Sequence, residues 1–177
     1  MYARVSSVIA LLVLTSAVIA AQVTKSDMPG VRSYSRVDAT VGCGGAVDPS
    51  AMTALRKEGY VSVINLRTAD EQGAEIDASR AAAQKAGLKF IHLPFNGASP
   101  DPKIVSDFLG AVADKRNQPV FVHCGSANRV GAVWMIKRVL QDGWALDRAQ
   151  TEAEAIGLSS RQLLAFATTY IKENQKR

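Results

Sequence analysis

The chain has 177 residues, 47% hydrophobic and 21% charged, a composition that allows one domain with a real core and excludes a disordered chain. Its net charge of +5 suits an anionic substrate, but no basic run is interleaved with aromatic residues, which argues against nucleic acid as a partner. Two His and two Cys leave little scope for a zinc cluster, and no other metal or cofactor is expected.

Residues 1–21 read as an export signal. Arg4 supplies a positive start, and the apolar run from Val8 to Ala21, broken by Thr15 and Ser16, is short for a membrane span of about 20 residues. Small residues at Ala20 and Ala21 offer a cleavage site, and no Cys follows for lipid attachment. The expectation is a periplasmic protein with no membrane attachment after cleavage; an uncleaved anchor is the alternative. Residues 22–33, polar and carrying Pro29 and Gly30, predict a flexible lead-in to a single domain over 34–177.

Tyr34 to Val41 predicts a first strand, and Gly42-Cys43-Gly44-Gly45 a turn. Asp48-Pro49 is a cap and first-turn proline for a helix to about Glu58, ended by Gly59. Tyr60 to Leu66 predicts a buried strand, Arg67 to Gly73 a charged loop, and Ala74 to Ala86 a helix stopped by Gly87. Leu88 to Leu93 is a further strand, and Pro94 to Pro102 a loop. Asp101-Pro102 repeats the cap signature for a helix to about Arg116. Gln118 to Val122 is the next strand, followed by a helix over Arg129 to Gln141 and two closing helices, Asp147 to Ile156 and Ser160 to Glu173. Strands alternating with helices predict an α/β fold with a mostly parallel central sheet flanked by helices, its site beyond the carboxyl ends of the strands.

Cys124 falls at that end. Val120 to Val122 delivers it into a loop of small residues, Gly125-Ser126-Ala127, and Asn128-Arg129 then opens a helix. A strand that feeds a helix through a tight loop points several N–H groups and the positive end of the helix dipole at one spot, where a thiolate or a bound anion is stabilised. Arg129 adds a planar two-pronged donor suited to oxyanions. A cation in the first turn of a helix opposes the dipole, which makes a bound anion the better reason for it.

Three segments, Val63-Ile64-Asn65-Leu66-Arg67, His92-Leu93-Pro94, and Val122-His123-Cys124 through Arg129-Val130-Gly131, resemble the cysteine-dependent protein tyrosine and dual-specificity phosphatase superfamily. More narrowly, they resemble the phosphatase-like domains of bacterial beta-lactamase hydrolase-like proteins, over roughly residues 34–158. The resemblance implies a dual-specificity-phosphatase-like fold and hydrolysis of phosphomonoesters through a phosphocysteine. It makes Cys124 the nucleophile, Arg129 the phosphate clamp, Gly125, Ser126, Ala127 and Asn128 the amide cradle, and His123 a residue that orients the loop. The general acid of the family is an Asp on an upstream loop, for which Asp101 is the candidate, although Asp before Pro is also a plain helix cap. The substrate expected is phosphate-containing or otherwise anionic.

Two departures keep alternatives open. Four residues separate Cys124 from Arg129 where phosphatases of the superfamily have five, a length that resembles rhodanese-like sulfurtransferases carrying a cysteine persulfide. Val130 stands where the family usually has Ser or Thr, which favours a catalytically weak oxyanion- or phosphoprotein-binding module. Outside the loop, Arg67 either faces the cleft or pairs with Asp70 or Glu71, and His92 reads as a core residue at a strand end. Cys43 is either tolerated in its turn or a reversible disulfide partner of Cys124. Trp134 and Trp144 read as packing residues.

Overall fold

A computed structural model describes residues 23–175; the expected signal peptide, residues 1–21, lies outside the described residues. Six strands form one sheet: β1 (Thr24–Lys25), β2 (Ser35–Arg36), β3 (Val41–Gly44), β4 (Ser62–Asn65), β5 (Lys89–His92) and β6 (Val120–His123), in spatial order β1-β2-β3-β6-β4-β5. The four strands from β3 to β5 run parallel, with β6 between β3 and β4, while β1 and β2 add an antiparallel edge. The mostly parallel α/β sheet expected from the sequence is the observed one.

Helices cover both faces. On one side α1 (Met52–Lys57) and α2 (Ile76–Lys85) pack with Val63, Tyr60 and Phe121; on the other, α3 (Pro102–Ala113), α4 (Asn128–Leu140), α5 (Leu146–Ile156) and α6 (Arg161–Asn174) pack with Ile64, Val120 and Val122. The alternation along β6 follows from the pleat: Phe121 and His123 point one way, Val122 and Cys124 the other. Cap chemistry sets the starts of α3 and α6 as the sequence indicates. Asp101 Oδ1 accepts from Lys103 N at 2.8 Å and Ser160 Oγ from Leu163 N at 3.3 Å, each answering a donor the helix leaves unpaired. Asp48 caps a short 3-10 turn, Pro49–Ala51, that leads into α1.

Three sequence expectations are corrected. Tyr34 to Val41 is not one strand: β2 ends at Arg36, the chain reverses through Asp38 to Thr40, where Asp38 Oδ1 accepts from Thr40 N at 2.8 Å, and β3 returns antiparallel from Val41. Gly42-Cys43-Gly44 forms the buried strand β3 rather than a turn, because its glycines provide clearance instead of reversing the chain. A Cβ on Gly42 would overlap the Tyr60 hydroxyl, and one on Gly44 would stand 2.8 Å from Phe121. Gly42→Ala is therefore expected to cost about 1–3 kcal/mol by overpacking and to break the 2.9 Å Tyr34–Tyr60 hydroxyl bond, read by urea unfolding. The lead-in is also more ordered than expected. Its Thr24 and Lys25 pair with β2, and Val31 bridges Met28 and Val47 and is buried in the core beside α1.

α4 is apolar nearly all round, as befits a helix enclosed by α3, α5 and α6. Gly131 lets it approach α5, since a Cβ there would lie 2.8 Å from the Ala153 carbonyl. Below, Arg138 is 7% exposed and donates to Glu152 (2.6 and 3.1 Å), Asp142 (2.9 Å) and Asp38 (3.3 Å). Trp134 Nε1 donates to the same Glu152 carboxylate at 2.7 Å, and the Trp144 ring is sandwiched between the guanidiniums of Arg138 and Arg148. Both tryptophans thus pack as expected.

Candidate active site

β6 ends at His123, and Cys124, fully buried, begins the loop. The carbonyl of Gly125 faces away from the site and accepts from Ala46 N at 3.1 Å, and Gly44 O accepts from Cys124 N at 3.4 Å. Ala127 then turns the chain into α4 with a left-handed φ of 66°. The N–H groups of the first turn of α4 have no intrahelical acceptor and open toward the loop. The turn between α5 and α6 braces this arrangement from outside. Gly157 sits against Ala127, where a Cβ would be 2.9 Å away, and its φ of 143° suits glycine. Asn128 Oδ1 accepts from Ser159 N (2.7 Å) and Ser160 N (2.8 Å). The Asn128 side chain therefore anchors α6, and only its N–H is placed to contribute to the cradle.

Arg129 is held by a carboxylate 58 positions earlier. Its Nη1 donates to Glu71 Oε1 (2.5 Å), Phe95 O (3.0 Å) and Leu66 O (3.2 Å), and its Nη2 donates to Glu71 Oε2 (2.8 Å). Nη1 is thus fully engaged. Among the described residues no oxygen accepts from Nε, so the Nε–Nη2 edge of the fork is the one left for a ligand. That edge lies at the loop: Nη2 is 3.4 Å from where a Gly125 Cβ would stand. Burial works to lower the Arg129 pKa, but the Glu71 hydrogen bond, with Cys124 and the Glu71 charge, raises it. Burial also works to raise the pKa of Glu71, but hydrogen bonds from Arg129 and Thr68 N, with the charges around them, bring it down to about 2. Glu71 is therefore an anion throughout the neutral range. Arg67 completes the brace, donating Nε to Glu71 (3.2 Å) and its other donors to Gln72 O and Gly73 O. Of the two readings of Arg67, the pairing with Glu71 is the observed one.

Ser126, Asn128 and Arg129 form the floor of an open cavity of about 550 Å³, whereas Cys124 and Ala127, both fully buried, and Gly125 are not among its lining residues. Thr68, Asp70 and Glu71 make one wall, Asn96, Gly97 and Ala98 a second, and Ser160, Gln162 and Leu163 a third. Ser126, Asn128 and Arg129 of the expected site lie in it. Asp101 does not: its exposed side chain caps α3, outside the cavity lining. His123 points to the opposite face of the sheet, stacked on Phe121, where burial lowers its pKa to about 4 and keeps the ring neutral. Its carbonyl accepts from Leu66 N at 2.9 Å. Cys43 is buried in the same core cluster as Cys124, both are free thiols, and burial raises the Cys43 pKa.

Glu71 and the α6 wall were not identified as site residues by sequence. The nearest signal was the Asp70-Glu71 pair beside Arg67, which pointed to a local ion pair and not to Arg129.

The beta-lactamase hydrolase-like protein, phosphatase-like domain, is the family whose model matches residues 34–141. The beta-lactamase hydrolase-like protein of Xylella fastidiosa (strain Temecula1) is 32% identical over 118 residues, 66% of this chain and 26% of the relative. The chain thus spans about a quarter of the length of the curated relatives it matches. Among solved structures, P. aeruginosa TpbA in complex with pTyr superposes with a TM-score of 0.66 at 20% identity, covering 88% of this chain and 91% of that one. The core catalytic domain of the PP-IP phosphatase SIW14 from S. cerevisiae, in complex with citrate, gives 0.64 at 18% identity, covering 79% and 88%. These two likenesses establish the fold.

Proposed function

The chain belongs to the family of beta-lactamase hydrolase-like phosphatase-like domains, and from that premise we propose that it hydrolyses phosphomonoesters through a phosphocysteine on Cys124. The observation that carries the reading is that Ser126 of the Cys124 loop, and Asn128 and Arg129 of the first turn of α4, line one cavity, with Cys124 buried at the start of that loop and the Nε–Nη2 edge of Arg129 open. N–H groups of the loop hold the phosphoryl oxygens, and Arg129 takes two of them with Nε and Nη2, stabilising the charge that spreads in the transition state. The Cys124 thiolate attacks phosphorus, an S–P bond forms, and the ester P–O bond breaks. The departing alkoxide needs a proton. Glu71 is ionised and engaged, and Asp101 caps α3 outside the cavity lining, whereas Asp70, also exposed, lines the cavity with no hydrogen-bond or ionic partner among the described residues. Asp70 is assigned as the donor. Water then attacks the phosphocysteine, gives its proton to the Asp70 carboxylate, and the S–P bond breaks to release inorganic phosphate and the thiolate.

Phosphate release by the full chain, lost in Cys124→Ser, tests the nucleophile; equal activity in both rejects it. For the acid, Asp70→Asn is expected to lower kcat on alkyl phosphates by about 10²-fold. Asp101→Asn, which retains a capping side chain, is the comparison, and a larger loss there moves the role to Asp101. Buried Val130 offers no hydroxyl to the departing thiolate, so the second step is expected to be slow. Rapid mixing should then show a burst of alcohol equal to the enzyme, with phosphate following at the steady rate.

A second reading, sulfur transfer through a Cys124 persulfide, is favoured by one observation. Glu71 neutralises Arg129, and a persulfide needs the amides of the short loop more than a free cation. Incubation with thiosulfate would then add one sulfur atom to Cys124 by mass, and no adduct rejects it. Export rests on the N-terminal pattern, and fractionation with N-terminal sequencing is expected to find a periplasmic chain beginning at Ala21 or Gln22.

A further inference from the structure

The cavity walls carry information about the alcohol half of the substrate. None of the described residues lining the cavity is aromatic, and Leu163 is the one large apolar side chain among them. Hydrogen-bonding groups fill the remainder. Asn96 turns its Oδ1 to Ala98 N and Ser99 N, leaving its Nδ2 without a partner among the described residues. Gln162 donates Nε2 to Ala98 O at 2.9 Å, leaving its Oε1 without a donor among the described residues. Hydroxyls of Thr68, Ser126 and Ser160 line the same space. Donors and acceptors thus stand on all three walls, an arrangement suited to an alcohol that itself carries several hydroxyls.

Charge narrows the choice further. Arg129 is the only cation among the described lining residues, and the Glu71 carboxylate already neutralises it, so the lining carries no excess positive charge before a phosphate enters. The fork of Arg129 and the amides serve one phosphate on the floor, and no cation of the walls is left for a second. Arg67 does not supply one, because its donors are engaged by Glu71, Gln72 and Gly73.

We infer that the site takes the single phosphate ester of a small hydroxyl-rich alcohol, of the sugar or polyol class, in preference to aryl phosphates and to esters bearing a second phosphate. The inference rests on the phosphatase reading for its chemistry, but it is tested by binding. Calorimetry on the Cys124→Ser full chain would compare hexose 6-phosphate, phenyl phosphate and hexose 1,6-bisphosphate. Hexose 6-phosphate is expected to bind about 10-fold tighter than either, the effect of one or two extra hydrogen bonds. Gln162→Leu, on the exposed first turn of α6, is expected to reduce the hexose-to-phenyl ratio by about 5-fold through loss of an acceptor. Phenyl phosphate or the bisphosphate binding as well as the hexose ester, or an unchanged ratio in Gln162→Leu, overturns the inference. Selective binding of hexose 6-phosphate with no turnover of any ester by the unmutated chain would support the ligand class and reject the phosphocysteine reading instead.

Discussion

Replacing Glu71 by Gln is expected to lower kcat/KM for phosphomonoesters by about 10²-fold, the scale of a small misplacement of a positioning group. Glu71 touches no reacting atom in the proposed mechanism; it fixes the plane of the Arg129 guanidinium. Both carboxylate oxygens receive Arg129 hydrogens, at 2.5 and 2.8 Å, and Thr68 N and Arg67 Nε bind the same group. A Gln side chain can accept on one atom only and places an NH₂ against a guanidinium, so the fork loses its bidentate support and swings. Because in the proposed mechanism Arg129 binds the phosphoryl group most strongly as charge spreads, the loss should fall more on kcat than on KM. That split separates positioning from a general loss of stability, which would leave both parameters of the folded fraction unchanged. pH gives a second readout. The folded pKa of Glu71, about 2, lies below its ordinary 4.5, so the pairing stabilises the protein fully above about 4.5 and is lost as pH falls toward 2. Thermal denaturation across that window should show a slope in the wild type that is reduced in Glu71→Gln. An equal slope in both proteins, or an unchanged kcat, would reject this role.

Why Glu71 escaped a reading of the sequence is itself physical. Local signals carry over short distances: a cap is satisfied within three residues, and a buried strand declares itself by its run of Val and Phe. Thus Asp101-Pro102, Ser160 and Val120 to Val122 announce the elements they build, and the Cys124 to Arg129 loop could be placed at a strand end from neighbours alone. The partner of Arg129 is set instead by which strands lie side by side. Only the order β3-β6-β4 brings the loop after β4 against the loop after β6. The same holds for Ser159 and Ser160, which reach Asn128 because α6 folds back over α4. Gly42 and Gly44 misled for a related reason. A glycine that reverses the chain and a glycine that makes room for Tyr60 or Phe121 are identical in sequence and differ in what packs across from them. Asp101 makes the helix cap that Asp before Pro announces from neighbours alone.

The largest stability effect is expected at the other end of the helix that starts at the loop. Arg138→Leu should destabilise the protein by about 3–5 kcal/mol, because it leaves the Glu152 carboxylate, 6% exposed, without its guanidinium. Asp142 and Asp38 would lose the same partner, and Trp144 one of the two cations that sandwich it. The loss should not be read as the worth of the pairing. Two buried charges taken from water are held at high desolvation cost, and much of the single-mutant effect is the charge left behind. The double variant Arg138→Leu with Glu152→Leu removes both charges and is therefore expected to recover a large part of the loss, as measured by urea midpoints at constant slope. Trp134 Nε1, which donates to Glu152 at 2.7 Å, loses its acceptor in the double variant and sets the part that is not recovered. A single variant costing under about 1 kcal/mol would mean that water reaches Glu152 and that the network is surface-like. Because Arg138 lies nine residues along α4 from Arg129, the folded double variant should keep the loop and its kcat. Stability and chemistry would then divide along one helix, with the N-terminal turn arranged for an anion and the C-terminal half fixed by ion pairs to α5 and the β2–β3 turn.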